Sequence, residues 1–170
     1  KTAIFGSEEG LKAYSISFYD MLPSATDQAI VEQNLVDYGA TNSLGGFILR
    51  NSYSENNSSG WSWSALRNVN YFIENNVDPA IPESVRNNYT GLARFFRAWF
   101  YYDKVRRFGD VPWVDHPLEP SEEDILYGER DSRELVMEKV WEDLMYAGEN
   151  ITRTSDARQS SLVTKWVAYA

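Results

Sequence analysis

The 170-residue sequence contains no cysteine and only one histidine, His116. The absence of cysteine excludes disulfides and thiolate metal ligands, and a single imidazole cannot build a standard structural zinc site. The longest uninterrupted apolar run, residues 98–102, is far too short to cross a bilayer. The sequence therefore predicts a domain held together by its own core, with no cofactor and no assigned metal site, while calcium stays open without a regular calcium-loop spacing to support it.

Positive charge is also in short supply. Sixteen Lys and Arg stand against twenty-five Asp and Glu, which gives a net charge of −9. Nucleic-acid binding rests largely on cations that face phosphates, so DNA and RNA are not expected as partners. Aromatic residues are abundant by contrast, with six Trp, eleven Tyr and eight Phe. This composition suits a packed helical core or a surface on which planar or sugar-like ligands stack.

Apolar residues recur at helical spacing through most of the chain, and no pair of segments shows the alternation of β-strands. The class is therefore predicted to be mainly α. The predicted helices run from Ser7 to Leu22, from Ser64 to Asn76, from Glu83 to Phe108, from a capping box of Asp131 and Glu134, and from about Ser161. The final pattern, "VTKWVAYA", reaches Ala170 without a cap, so we expect the helical bundle to be incomplete at its C-terminus.

The stretch "RFFRAWFYYDKVRRFGDVPWV" (Arg94–Val114) combines many rings with many cations. On a helical wheel five of its rings fall within an arc of about 160°, namely Phe95, Phe96, Trp99, Phe100 and Tyr102. Arg97 and Lys104 lie on the opposite side of the wheel. An apolar arc this wide indicates a helix flanked by other helices. We predict that Phe95, Phe96 and Trp99 are core residues and that Arg97 is paired with a carboxylate.

Four segments carry a resemblance to a known family. They are "LRNVNYFIEN" (Leu66–Asn75), "GLARFFRAWFYYDKVRRFGDVPWV" (Gly91–Val114), "RDSRELVMEKVWEDLMYAGENI" (Arg130–Ile151) and "LVTKWVAYA" (Leu162–Ala170). In this order they resemble the SusD/RagB family of nutrient-binding outer-membrane lipoproteins. The combination ARF-x-RA…RRFGDVP is the most specific part, whereas Leu92 stands where the family often has Glu.

The resemblance implies a right-handed bundle of paired helices of the tetratricopeptide type, of which residues 1–170 form the N-terminal part. It also implies a lipid-bearing cysteine upstream of Lys1 and a surface-exposed position on a Gram-negative outer membrane. A SusC-like TonB-dependent transporter is the implied protein partner, and an oligo- or polysaccharide or another nutrient is the implied ligand.

Residues 23–63 form a long irregular excursion rich in Gly, Ser and Asn, and this excursion is the candidate ligand surface. Sugars present apolar C–H faces that stack on rings and hydroxyls that pair with polar side chains. The predicted ligand-binding residues are Trp61, Trp63, Tyr53 and Asn57, with Arg50 and Asp37 as polar accessories. The alternative is that both tryptophans pack beneath the excursion and only anchor it.

Three functions compete at this point. The first is a non-catalytic glycan- or nutrient-binding subunit of an outer-membrane uptake system, and the second is a helical-repeat scaffold that binds proteins without binding glycans. The third, a helical carbohydrate-active enzyme, rests only on rings and acidic pairs such as Glu122 and Glu123, which are too common to be informative. His116 is interpreted as a solvated loop residue, and no nucleophile elbow accompanies it. The protein is therefore predicted not to be an enzyme.

Overall fold

The computed structural model describes residues 2–23, 60–155 and 162–170. Its helices are α1 (Thr2–Phe5), α2 (Glu8–Ile16), α3 (Ser64–Asn75), α4 (Glu83–Phe108), α5 (Glu123–Leu126), α6 (Arg133–Asn150) and α7 (Lys165–Tyr169). A 3₁₀ turn, Ser17–Met21, continues α2. The described part of the chain holds no β-strand beyond an isolated bridge between Val111 and Asp131. The predicted mainly α class is confirmed.

The chain divides into two compact units. One unit comprises Lys1–Met21 and Trp63–Ala170, and it contains all seven helices of the described ranges. The other unit comprises Leu22–Ser62, of which the structure describes residues 22, 23 and 60–62. The predicted excursion over residues 23–63 lies mostly outside the described residues.

Local signals in the sequence set several helix ends. The Ser7 hydroxyl accepts a hydrogen bond from the Gly10 N–H at 3.1 Å and caps α2, as predicted. Pro82 precedes the first residue of α4. Gly109 ends α4 with φ of 73° and ψ of −115°, a backbone conformation that residues with a Cβ rarely adopt. The predicted bounds of this helix, Glu83–Phe108, are confirmed.

The N-cap of α6 was predicted one residue too early. Ser132, not Asp131, is the N-cap, and its hydroxyl accepts from the Leu135 N–H at 3.3 Å. Asp131 instead accepts a hydrogen bond from the Trp113 N–H at 2.7 Å, which ties it to a segment eighteen residues away. The last helix begins at Lys165 rather than near Ser161, which lies outside the described residues.

Helices α3 and α6 each pack on α4, and α3 runs antiparallel to α4. Trp63, just before α3, faces the middle of α4, and Asn76, just after α3, donates to Thr90 near the start of α4 at 2.9 Å. Arg97 pairs with Asp143 midway along α6. The predicted paired-helix architecture is confirmed, with α4 between two partners.

Two clusters of buried side chains form the core. One cluster, around Tyr101, contains Leu66, Ala98, Phe100, Tyr101, Val105, Val111, Val114, Val136 and Val140. In the second cluster, the rings of α2 and its 3₁₀ turn meet α3 and α4: the Phe18 centroid lies 5.3 Å from that of Phe72 and 5.9 Å from that of Phe96.

The helical wheel predicted only part of the buried face of α4. Phe95 and Phe96 are buried as predicted, but Trp99 is half-buried and Tyr102 is 47% exposed. Arg97 and Lys104, placed opposite the rings, are both buried. The reason is that α3 and α6 both pack on α4, so its buried surface is wider than one apolar arc.

Candidate functional site

Trp61 and Trp63 differ in their surroundings although one residue separates them. Trp61 is 40% exposed. Trp63 is half-buried and packs against the core cluster around Tyr101. The centroid of its ring lies 5.5 Å from that of Phe100 and 6.2 Å from that of Tyr101. The structure therefore gives Trp63 a packing contact with α4, while Trp61 keeps surface on which a ligand could stack.

The remaining residues predicted for ligand binding lie outside the described residues. They are Asp37, Arg50, Tyr53 and Asn57. Their role in ligand binding stays a prediction.

A buried polar network links the three main helices. The Arg97 guanidinium donates to both carboxylate oxygens of Asp143, from Nε to Oδ2 at 2.6 Å and from Nη2 to Oδ1 at 2.9 Å. Its Nη1 donates to Asn70 Oδ1 at 3.3 Å and to the Asp115 carbonyl oxygen at 3.2 Å. Arg94 adds a contact of 3.3 Å from its Nε to Asp143 Oδ1. The predicted pairing of Arg97 with a carboxylate is confirmed.

The same network fixes the extended segment after α4. Asn70 Nδ2 donates to the carbonyl oxygens of Val114 at 2.9 Å and His116 at 3.2 Å. The Tyr101 hydroxyl oxygen accepts from the Val114 N–H at 2.6 Å. Burial raises the pKa of Tyr101, and the hydrogen bond from Val114 opposes this only in part, so the phenol stays neutral.

His116 is more constrained than a solvated loop residue, which corrects the sequence interpretation. Its ring nitrogens face Asp115 Oδ1 at 3.1 Å and Glu122 Oε1 at 2.8 Å. Its side chain is 42% exposed. The two carboxylates, Asp115 first, raise the pKa of His116. Within the described ranges, both partners of the ring nitrogens are carboxylates.

A groove of about 740 Å³ lies between α2, the first half of α4 and the segment after α6. Its lining includes Lys12, Tyr19, Asn88, Tyr89, Arg153 and Val163. Hydrogen bonds hold two of its walls: the Tyr19 hydroxyl accepts from the Val163 N–H at 3.0 Å, and Asn88 Oδ1 accepts from the Thr152 N–H at 2.9 Å. Its volume falls within the range of small-ligand sites, and its lining mixes polar and apolar residues.

The described ranges lack two further kinds of feature. No group of three or more His, Cys, Asp or Glu side chains there is arranged to hold a metal ion. No helix in residues 2–23, 60–155 and 162–170 is both long and apolar enough to span a membrane.

Comparison with known proteins identifies the chain's relatives. A sequence family described as "SusD-like: Starch-binding associating with outer membrane" matches residues 12–169. The chain belongs to the SusD-like family. The resemblance predicted from the Leu66–Asn75 and Gly91–Val114 motifs is confirmed. A search of the curated proteins gave no significant match.

Two solved structures from Bacteroides fragilis share the SusD-like fold. A SusD-like protein is 26% identical and superposes with a TM-score of 0.74, over 100% of this chain and 34% of its own length. A SusD-like carbohydrate-binding protein is 18% identical, also with a TM-score of 0.74, over 99% of this chain and 36% of its own length. The chain thus spans about a third of the length of the solved structures that it matches.

Two features of this SusD-like chain were missed by sequence reasoning. The groove could not be predicted, because it is assembled from three segments separated by more than fifty residues. The contacts of His116 had a usable signal, since an acidic residue stands beside it and another stands six residues later. Only the fold, however, shows that the ring reaches both carboxylates.

Proposed function

We propose that this chain is part of a non-catalytic glycan-binding subunit of an outer-membrane nutrient uptake system. The observation that carries the proposal is the family match over residues 12–169, whose description couples starch binding with the outer membrane. A carbohydrate-binding protein with the same fold supports it. Trp61, with 40% of its surface exposed, is the described residue of the predicted ligand set whose ring keeps surface for stacking on a sugar face.

The geometry of His116 supports a non-catalytic role. A Ser-His-Asp mechanism needs an imidazole nitrogen that can accept the serine proton. Both ring nitrogens of His116 face carboxylate oxygens instead, at 3.1 Å and 2.8 Å. The only histidine of the chain is therefore engaged in holding its own loop rather than in activating a nucleophile.

The ligand is tested by measuring binding of the full-length protein to a glycan panel that begins with starch-type α-glucans. We expect saturable binding to at least one glycan, without release of reducing ends during prolonged incubation. Release of reducing ends would show that the protein is an enzyme, and a panel with no binding at all would contradict the glycan-binding proposal.

The uptake role requires a SusC-like TonB-dependent transporter as partner and a lipid anchor upstream of the segment. Both are tested by solubilising outer membranes in detergent and isolating the full-length protein. Recovery together with a TonB-dependent transporter, and a fatty-acylated N-terminal peptide in the mass spectrum, are expected. Recovery as an unlipidated protein with no transporter would contradict this placement.

A second candidate function is a protein-binding helical scaffold. The exposed indoles of Trp141 on α6 and Trp166 on α7, at 65% and 58%, favour it, because aromatic residues are enriched at protein interfaces. The two functions separate in one comparison. A scaffold without glycan binding would bind none of the glycans and would lose its protein partner on Trp141→Ser, whereas the leading proposal requires that this variant still bind glycan.

A further inference from the structure

The ring of His116 lies between two carboxylates. Nδ1 is 3.1 Å from Asp115 Oδ1, and Nε2 is 2.8 Å from Glu122 Oε1. An ionised carboxylate oxygen can only accept a hydrogen bond, whereas a neutral imidazole carries a proton on only one of its two nitrogens. Both contacts are therefore hydrogen bonds only when the ring is an imidazolium.

The two carboxylates belong to parts of the chain that are held differently. Asp115 lies in the segment fixed to the core, because its carbonyl oxygen accepts from Arg97 Nη1 at 3.2 Å. The His116 carbonyl oxygen accepts from Asn70 Nδ2 at 3.2 Å. Glu122 lies in the following turn, where its Oε2 accepts from the Glu119 N–H at 2.7 Å. The imidazole therefore connects a surface turn to the anchored segment.

We propose that His116 is a pH-operated clasp, which holds residues 119–127 against the anchored segment while its ring is protonated and releases them when the ring loses a proton. The clasped stretch contains the Glu119–Glu122 turn and α5, the four-residue helix Glu123–Leu126. It carries three consecutive exposed apolar side chains: Ile125, Leu126 and Tyr127. The state of the clasp therefore determines whether these three apolar side chains are held against the anchored segment or are free to move with the turn.

Charged groups from the packed elements favour the closed state. Hydrogen bonds from the ring to Asp115 and then Glu122 raise the pKa of His116 above its ordinary value of 6.5, and burial opposes this. The bond from His116, aided by the cation of Arg97 on α4, lowers the pKa of Asp115. The Glu119 N–H and then His116 lower the pKa of Glu122.

Among the described residues, the neighbouring helices place a neutral amide and a paired carboxylate near the segment that holds His116. From α3, the neutral amide of Asn70 binds the His116 carbonyl oxygen. On α6, the carboxylate of Asp143 is paired with Arg97 and Arg94.

The direction of the pH response follows from the raised pKa. The stabilisation from the clasp is fully present below the unfolded-state pKa of His116, and it is lost as pH rises through the higher folded-state pKa. A neutral ring loses its charge and keeps one N–H, so it can donate to only one of the two carboxylates. The clasp is thus closed on the acidic side of its transition and opens on the alkaline side in the tautomer that keeps the proton on Nδ1, which leaves Nε2 without a proton opposite Glu122 Oε1.

The first test is a pH titration of His116 by NMR in the full-length protein labelled with ¹³C-histidine. His116→Gln assigns the resonance by its disappearance. We expect the pKa of His116 in the parent protein to lie above its ordinary value of 6.5. Glu122→Gln should lower the pKa of His116, because a neutral amide does not favour the imidazolium. Glu123→Gln is the matched control and should leave the titration unchanged, since Glu123 has no bond to the ring. Identical titrations of the parent protein and Glu122→Gln would overturn the proposal.

The second test follows the movement itself. Amide hydrogen exchange in residues 119–127, corrected for its intrinsic pH dependence, should accelerate as pH passes through the measured transition of His116. In His116→Gln the corrected exchange should be fast and insensitive to pH across the same range, while α4 and α6 stay protected. Corrected exchange that is constant through the parent's transition would show that the ring titrates without releasing the loop, and the clasp would be rejected.

Discussion

Arg97 and Asp143 form an ion pair joined by two parallel hydrogen bonds, with side chains only 5% and 2% exposed. The pair connects the middle of α4 to the middle of α6. Through Nη1 of Arg97 it also holds Asn70 of α3 and the carbonyl oxygen of Asp115. One buried guanidinium therefore joins three helices and the segment that leads to His116.

Asp143→Ala should strongly destabilise the protein, because it leaves a buried guanidinium without its counter-ion. Breaking a buried pair in this way typically costs about 3–5 kcal/mol. Urea unfolding of the parent protein and the variant measures the change in the free energy of unfolding. Glu142→Ala is the matched control on the same helix, since the Lys139–Glu142 pair is half-exposed and such pairs contribute at most about 1 kcal/mol.

The double variant Arg97→Met/Asp143→Leu distinguishes a charge effect from a packing effect. Because it removes both charges, it should recover a large part of the stability that Asp143→Ala loses. Recovery should be incomplete, since the Asp115 carbonyl oxygen loses its donor. If the double variant is less stable than Asp143→Ala, the uncompensated charge is not the cause of the loss.

Phe96 and Tyr102 lie on the same helix but should respond very differently to truncation. Phe96 has no exposed surface and contacts Phe18 and Tyr19, so Phe96→Ala should cost about 3–5 kcal/mol. Tyr102 is 47% exposed, so Tyr102→Ala should change stability much less, as surface substitutions do. Thermal unfolding compares them. Equal losses of melting temperature would show that the assignment of the buried face of α4 is wrong.

Gly109 is a position where a side chain should be poorly tolerated for backbone reasons. Its φ of 73° and ψ of −115° lie in a region that is costly for other residues, although a Cβ at this position would meet only open space. Gly109→Ala should therefore cost about 1–3 kcal/mol through strain alone. Chemical unfolding measures this, with Gly91→Ala as a comparison at a helical position with close neighbours. An unchanged midpoint for Gly109→Ala would contradict the strain argument.

The parts of the fold that the sequence predicted are those set by local chemistry. Pro82 and Gly109 mark the ends of α4, and Ser7 caps α2, because each acts within one turn of its own position. The cap of α6 was misassigned because Asp131 is recruited by Trp113, a contact that depends on tertiary structure. Tyr102 was misplaced because α4 is packed on two sides, which a single wheel does not reveal.

The candidate site was predictable to a smaller extent. Local composition singled out Trp61 and Trp63, and the structure separates them into an exposed ring and a ring packed on Phe100. That difference depends on α4, because the contact residue Phe100 lies far from Trp63 along the chain. The groove near Tyr19 and Arg153 carries no local pattern, since its walls come from segments far apart in the sequence.

The measurement that tests the proposed function most directly is glycan binding by full-length Trp61→Ala and Trp63→Ala proteins, using a glycan that the parent protein binds. Trp61→Ala should weaken binding by roughly 5- to 150-fold, as expected for the loss of a stacking contact of about 1–3 kcal/mol, without lowering the melting temperature. Trp63→Ala should lower the melting temperature, because its ring packs on Phe100 and Tyr101. Equal affinity of Trp61→Ala and the parent protein would contradict the role of the exposed ring in glycan recognition.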